Sequence, residues 1–161
     1  MFRRTFALGA SSLILLPVSG HAADSVSGRF VCNGKEAKLA FASAWPRDPF
    51  SGKETIVVVL TEKDQAGSKR PWFDAGFGKL GAALAFSMTK PDGRLIGTEI
   101  THSGLKRSPF SASGSEIKGE DVTITDKRVE GRFFMAKPGK FFDDVYEFDM
   151  KVAADIRPRP A

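Results

Sequence analysis

The sequence predicts an all-β fold, a single antiparallel β-sandwich or barrel of about eight strands with little helix. Three observations predict it. Apolar and polar residues alternate with period two through much of the chain, the mark of half-buried strands. Turn residues recur at roughly ten-residue spacing. No stretch after the N-terminal segment repeats apolar residues at the helical period.

The elements follow in order. Gly28 to Cys32 reads as a strand entering Asn33-Gly34, a pair that supplies the positive φ angles of a two-residue hairpin. The return strand is Glu36 to Trp45, with Ala37, Leu39, Phe41 and Trp45 on one side. Prolines and glycine make Pro46 to Gly52 a loop. Thr55 to Thr61 is β-branched and continuously apolar, as in a central strand covered on both faces. Glu62 to Trp72 is polar and reads as a loop, and Asp74 to Leu80 has room for one short helical turn. Ala82 to Thr89, Arg94 to His102 and a segment at Phe110 are strands, the first two joined by the Pro91-Asp92-Gly93 turn. Val122 to Thr125 and Val129 to Met135 flank an Asp126-Lys127 corner, and Lys137 to Lys140 is a loop. Val145 to Ile156 turns Tyr146, Phe148, Met150, Val152, Ala154 and Ile156 one way and Glu147, Asp149, Lys151 and Asp155 the other. The 14 phenylalanines supply the large apolar area that a thin two-layer core needs.

Ahead of this domain stands a different kind of segment. Arg3-Arg4 precede an apolar stretch from Phe6 to Val18, and small residues follow in Ser19-Gly20-His21-Ala22-Ala23. That order is the order of a secretory signal peptide, and the stretch falls short of the roughly 20 apolar residues of a membrane span. The organisation expected is a cleaved signal over 1–22, one β-domain over 23–156 and an extended tail over 157–161. The mature protein is then periplasmic or secreted, without a transmembrane segment. Arg3 to Leu8 also resembles a twin-arginine signal, so general secretion and the twin-arginine route both stay open.

Loss of residues 1–22 removes two arginines and no acid, so the net charge falls from +5 to +3. A balance of +3 spread along the chain is not a nucleic-acid footprint, which needs clustered cations, so no nucleic-acid partner is expected. Cys32 is the only cysteine, so no internal disulfide forms, and its strand-like surroundings suit a small buried hydrophobe.

Several features could carry chemistry. Gly76-Phe77-Gly78-Lys79-Leu80-Gly81 fits G-x-G-x-x-G in letters but lacks the preceding strand and following helix that a dinucleotide site requires. No cofactor is expected. Once residues 1–22 are removed His102 is the one histidine left, and the chain has no nucleophile elbow, so neither a triad nor a metal site is expected, and no catalytic residue is assigned. Four loops place a cation and an aromatic beside a proline, around Pro46, Pro71, Pro109 and Pro138. Such loops suit recognition, since arginine and aromatic residues dominate binding hot spots. Arg70, Trp72, Phe73, Arg107 and Phe110 are the binding candidates, and the partner expected is a protein or a cell-envelope component. Two alternatives stand beside this. One is a small glycan-acting hydrolase using the acids Asp143, Asp144, Glu147 and Asp149, because neighbours on one strand face lie about 6.7 Å apart. The other is a lipocalin-like carrier, if the strands close into a barrel.

The Asn33-Gly34-Lys35 hairpin, Asp48-Pro49-Phe50, the strand Ile56 to Leu60, Val129 to Phe134 and Tyr146-Glu147-Phe148-Asp149 together resemble exported β-sheet proteins of Gram-negative bacteria. The resemblance spans most of the mature chain and implies export and a β fold, but no activity.

Overall fold

The computed structural model describes residues 22–159. The signal-peptide expectation therefore lies, apart from Ala22, outside the described residues. Two antiparallel sheets make up the domain. The first holds β1 (Ser25–Cys32), β2 (Lys35–Ala37), β8 (Ile117–Ile124), β9 (Arg128–Met135), β10 (Gly139–Phe141) and β11 (Asp144–Asp155). Its order is β2-β1-β11-β9-β8, with β10 also paired to β11. The second is a meander of β3 (Phe41–Phe50), β4 (Lys53–Thr61), β5 (Ala83–Thr89), β6 (Leu95–Thr101) and β7 (Phe110–Ser113), adjacent in chain order. The sheets do not close into a barrel. The fold is a sandwich, and the enclosed lumen that a carrier of the lipocalin kind would need is not formed.

Alternation succeeds where a strand has one face inside. Along β11 every residue from Tyr146 to Ala154 with an even number is buried, and the odd ones are exposed or partly so. Phe148 meets Phe86 across the interface, with ring centroids 5.5 Å apart, and Phe86 stacks on Phe133 at 5.1 Å. β4 is buried from Thr55 to Thr61 without alternation, as a doubly covered strand must be. Ile56, Val58 and Leu60 enter the core between the sheets, while Val57 and Val59 enter a second cluster on the outer face of the second sheet. That outer cluster is capped by the helix α1 (Pro71–Gly76), with Pro71 in its first turn, where proline's fixed φ and missing N–H cost nothing. The chain thus turns helical earlier than Asp74.

Among the described residues eleven strands form rather than about eight, and the differences have physical causes. The run Glu36 to Trp45 is not one strand. The chain leaves the first sheet after Ala37 and joins the second at Phe41. Leu39, Ala42 and Ala44 therefore fill the central core, Trp45 joins the outer cluster, and Phe41 is exposed. Pro46 to Phe50 belongs to β3 instead of a loop. β3 is the edge of its sheet, and edge strands tolerate prolines because one row of N–H groups needs no partner. β8 begins at Ile117, five residues before Val122. Lys118 to Asp121 is exposed there, on an edge strand irregular at Asp121, whose φ is +52°. β9 and β10 run the same way along β11, interrupted by Ala136 to Pro138. A proline without an N–H suits such a break. Cys32 is fully buried, and burial first, then the Asp144 carboxylate, pushes its thiol up to about 12. Of the tail, Arg157 pairs with Asp24 at 2.8 Å and Arg159 with Asp48 at 2.9 Å.

Candidate binding surface at one end of the sandwich

Thr61 pairs with Ala83 and Ala83 with Thr101, so the segments 62–82 and 102–109 leave the same end of the second sheet. The turns at Asn33-Gly34 and Phe142-Asp143 approach the 102–109 loop from the first sheet, and a buried carboxylate joins them. Asp144 is 1% exposed. It accepts from the backbone N–H groups of Lys106 (3.0 Å) and Arg107 (3.1 Å) and from Asn33 Nδ2 (2.7 Å). The Lys106 N–H above all holds its carboxyl below the usual carboxylate range, with Asn33 and Arg107 adding to the effect against its burial. Asn33 also donates to the Gly104 carbonyl at 2.9 Å and accepts from the Val145 N–H at 2.8 Å.

His102 completes the frame of this loop. It is 1% exposed, packs edge-on to Phe30 at 4.9 Å and accepts the Gly104 N–H on Nδ1 at 2.8 Å. Nε2 has no hydrogen-bond partner. Burial first, and Lys35 second, hold the imidazole below its ordinary basicity. A neutral ring is also what an acceptor Nδ1 demands.

The frame presents Arg107 with its guanidinium 4.0 Å from the centroid of the Phe142 ring, which is 69% exposed. On the other segment Arg70 lies 4.6 Å from the Phe73 ring, and Phe73 lies 4.6 Å from Phe77. Phe73 is 40% and Phe77 69% exposed. These are cation–aromatic pairs that remain open on one side, with the arginine held by the ring instead of a carboxylate.

The five candidates divide accordingly. Arg70, Phe73 and Arg107 are exposed. Trp72 is half-buried and turned inward, 5.9 Å from Trp45 and against the outer cluster. Phe110 is a core residue, stacked on Phe141 at 4.5 Å with its ring 4.9 Å from Tyr146. Its place at the start of an inward-facing strand explains the correction: its loop is on the surface and its side chain is not. Phe77 and Phe142 were not singled out by sequence. Phe77 sat inside the glycine motif, and Phe142 adjoined an aromatic of the same type that buries.

The glycine motif itself lies at the wrong end of a helix. Gly76 closes α1, and Gly78 and Gly81 turn the chain with φ of +71° and +75°, so no helix N-terminus faces them. Nor do the four acids converge. Asp149 makes a two-point pair with Arg132 at 2.8 and 2.7 Å, and the guanidinium holds its carboxyl low. Glu147 pairs with Arg29, and Asp144 is enclosed in the loop frame. A general acid needs the opposite perturbation, a raised pKa. Among the described residues no three His, Cys, Asp or Glu gather to hold a metal ion, and no helix is long and apolar enough to cross a membrane. The chain matches no protein family, no curated protein and no solved structure against which it was compared.

Proposed function

We propose that this protein is an exported, non-enzymatic β-domain that binds a protein or a cell-envelope component through two exposed arginine–phenylalanine groups, Arg70 with Phe73 and Phe77, and Arg107 with Phe142. One observation carries the reading: three phenylalanines are exposed on segments braced from beneath, two of them stacked with arginine. Burying an exposed ring on a partner is favourable by about 25 cal/mol per Å². A braced loop loses little further freedom on binding, and cation–aromatic pairs are common anchors. The carboxylates locked in arginine pairs and in the loop frame support a binding role over hydrolysis.

The test compares mature wild-type protein with Phe77→Ala/Phe142→Ala in crosslinking and affinity capture from envelope extract. The double variant should lose at least about 2 kcal/mol of affinity for the captured partner while melting within a degree or two of wild type. Undiminished affinity in a well-folded double variant overturns the surface. Protein recovered after export should begin at Ala23 or Asp24 by intact mass, and retention of Met1 overturns the export half of the reading.

A further inference from the structure

In a groove of about 960 Å³ on the outer face of the first sheet the arginines are already engaged, Arg29 with Glu147 and Arg132 with Glu120 and Asp149. A second cleft, about 700 Å³, differs in kind. It opens where Ala136 to Pro138 interrupt the β9–β10 line, against the turn Gly114–Glu116. Lys118, Lys137 and Lys140 line it, and none of the three joins an ion pair among the described residues. Glu116 is the only acid in its wall, and its Oε2 accepts from the buried Tyr146 hydroxyl at 2.7 Å. Three lysines against one carboxylate leave two positive charges in a concave space. The floor beneath them is firm. Gly139 lies directly on Tyr146 and Met135, so close that a Cβ there would meet Met135 Cε at 2.7 Å, and the Tyr146–Glu116 bond ties β11 to the Gly114–Glu116 turn.

We propose that this cleft is a binding site for a phosphate-bearing anion of at least two negative charges. Cationic residues around one concavity make its potential positive, and field lines concentrate where low-dielectric walls surround such a space. A multiply charged phosphate matches the two surplus charges and offers acceptor oxygens to lysine, the point-charge mode of phosphate recognition that lysine supports. The cleft shares no lining residue with the arginine–phenylalanine pairs, although Lys140 and Phe142 are near neighbours in the chain, and the proposal stands whether or not those pairs bind a partner.

The experiment titrates inorganic pyrophosphate into the mature protein by calorimetry at fixed ionic strength. A parallel arm sediments the protein with phosphatidylcholine vesicles, with and without phosphatidic acid. Saturable one-to-one pyrophosphate binding identifies a free phosphate compound as ligand. Sedimentation only with phosphatidic acid, without pyrophosphate binding, identifies a lipid headgroup. In either case Lys118→Gln/Lys140→Gln should weaken binding by roughly tenfold or more, since hydrogen bonds to charged groups are worth about that much, and Lys127→Gln, at a distant corner, should not. If the double variant fails to fold, Lys137→Gln on the exposed interruption carries the same comparison. Absence of binding in both arms overturns the proposal, and so does an equal loss in Lys127→Gln.

Discussion

Replacing Gly28 by alanine tests the architecture of the first sheet most sharply. Gly28 lies opposite Met150 in the β1–β11 ladder with φ of +136°. That conformation costs an L-residue about 1–3 kcal/mol. The added Cβ would also overlap the Asp149 carbonyl oxygen and lie 2.9 Å from Met150 Cα. Both are backbone atoms of the neighbouring strand, so no rotamer relieves the clash. β1 and β11 must separate locally, with loss of one or two ladder hydrogen bonds at about 1 kcal/mol each. The expected total is roughly 2–5 kcal/mol, a large share of the 5–15 kcal/mol typical of a domain. Gly34 supplies the control. Its φ is +76°, but nothing lies within 4 Å of a Cβ built there, so Gly34→Ala bears only the backbone term, about 1–2 kcal/mol. With urea m-values near 1–3 kcal/mol/M, the Gly28 variant should unfold about 1 M below the Gly34 variant. Coincident midpoints would refute the claim that β11 presses against β1 at this point.

Two further outcomes follow from the geometry around the loops. Trp72→Ala should lower stability by about 2–3 kcal/mol, less than for a fully buried aromatic, because it uncovers Trp45 and the outer cluster, while the remaining folded protein keeps its partner affinity; an unchanged melting temperature would contradict the inward position of Trp72. For pH, the folded chain holds His102 below its ordinary value of 6.5, so as pH falls past 6.5 the unfolded chain takes up a proton first and stability declines. Asp144 and Asp149, with folded-state values below the ordinary 3.8, contribute acid loss only at still lower pH. His102→Gln should therefore flatten the stability profile between about pH 5 and 7, and an unaltered slope in that window would assign it to another group.

What could be read from sequence was whatever a strand writes into its own neighbours. β11 alternates because successive side chains point to opposite faces, so Phe148 and Asp149 were separable without coordinates. β4 declared its double cover by having no polar face. The Asn33-Gly34 turn was legible because so few dipeptides accept two positive φ angles, and both residues have them, +49° and +76°. Where faces change hands, sequence lost the thread. Between Ala37 and Phe41 the chain passes from one sheet to the other, and the period-two rule carries no record of which sheet a residue has joined. β3 keeps Pro46 and Pro49 only because it is an edge, a property of strand order. The binding candidates divided for the same reason. Arg70, Phe73 and Arg107 stay outside, while Phe110 and Trp72 turn inward, though each stands beside a proline and a cation. A ring goes in or out according to the space that distant elements leave: Phe141 and Tyr146 for Phe110, Trp45 for Trp72. Composition marked the loops by a cation and an aromatic beside a proline. Only the packing of two sheets, joined at one end through Asp144, decided which of their side chains are exposed.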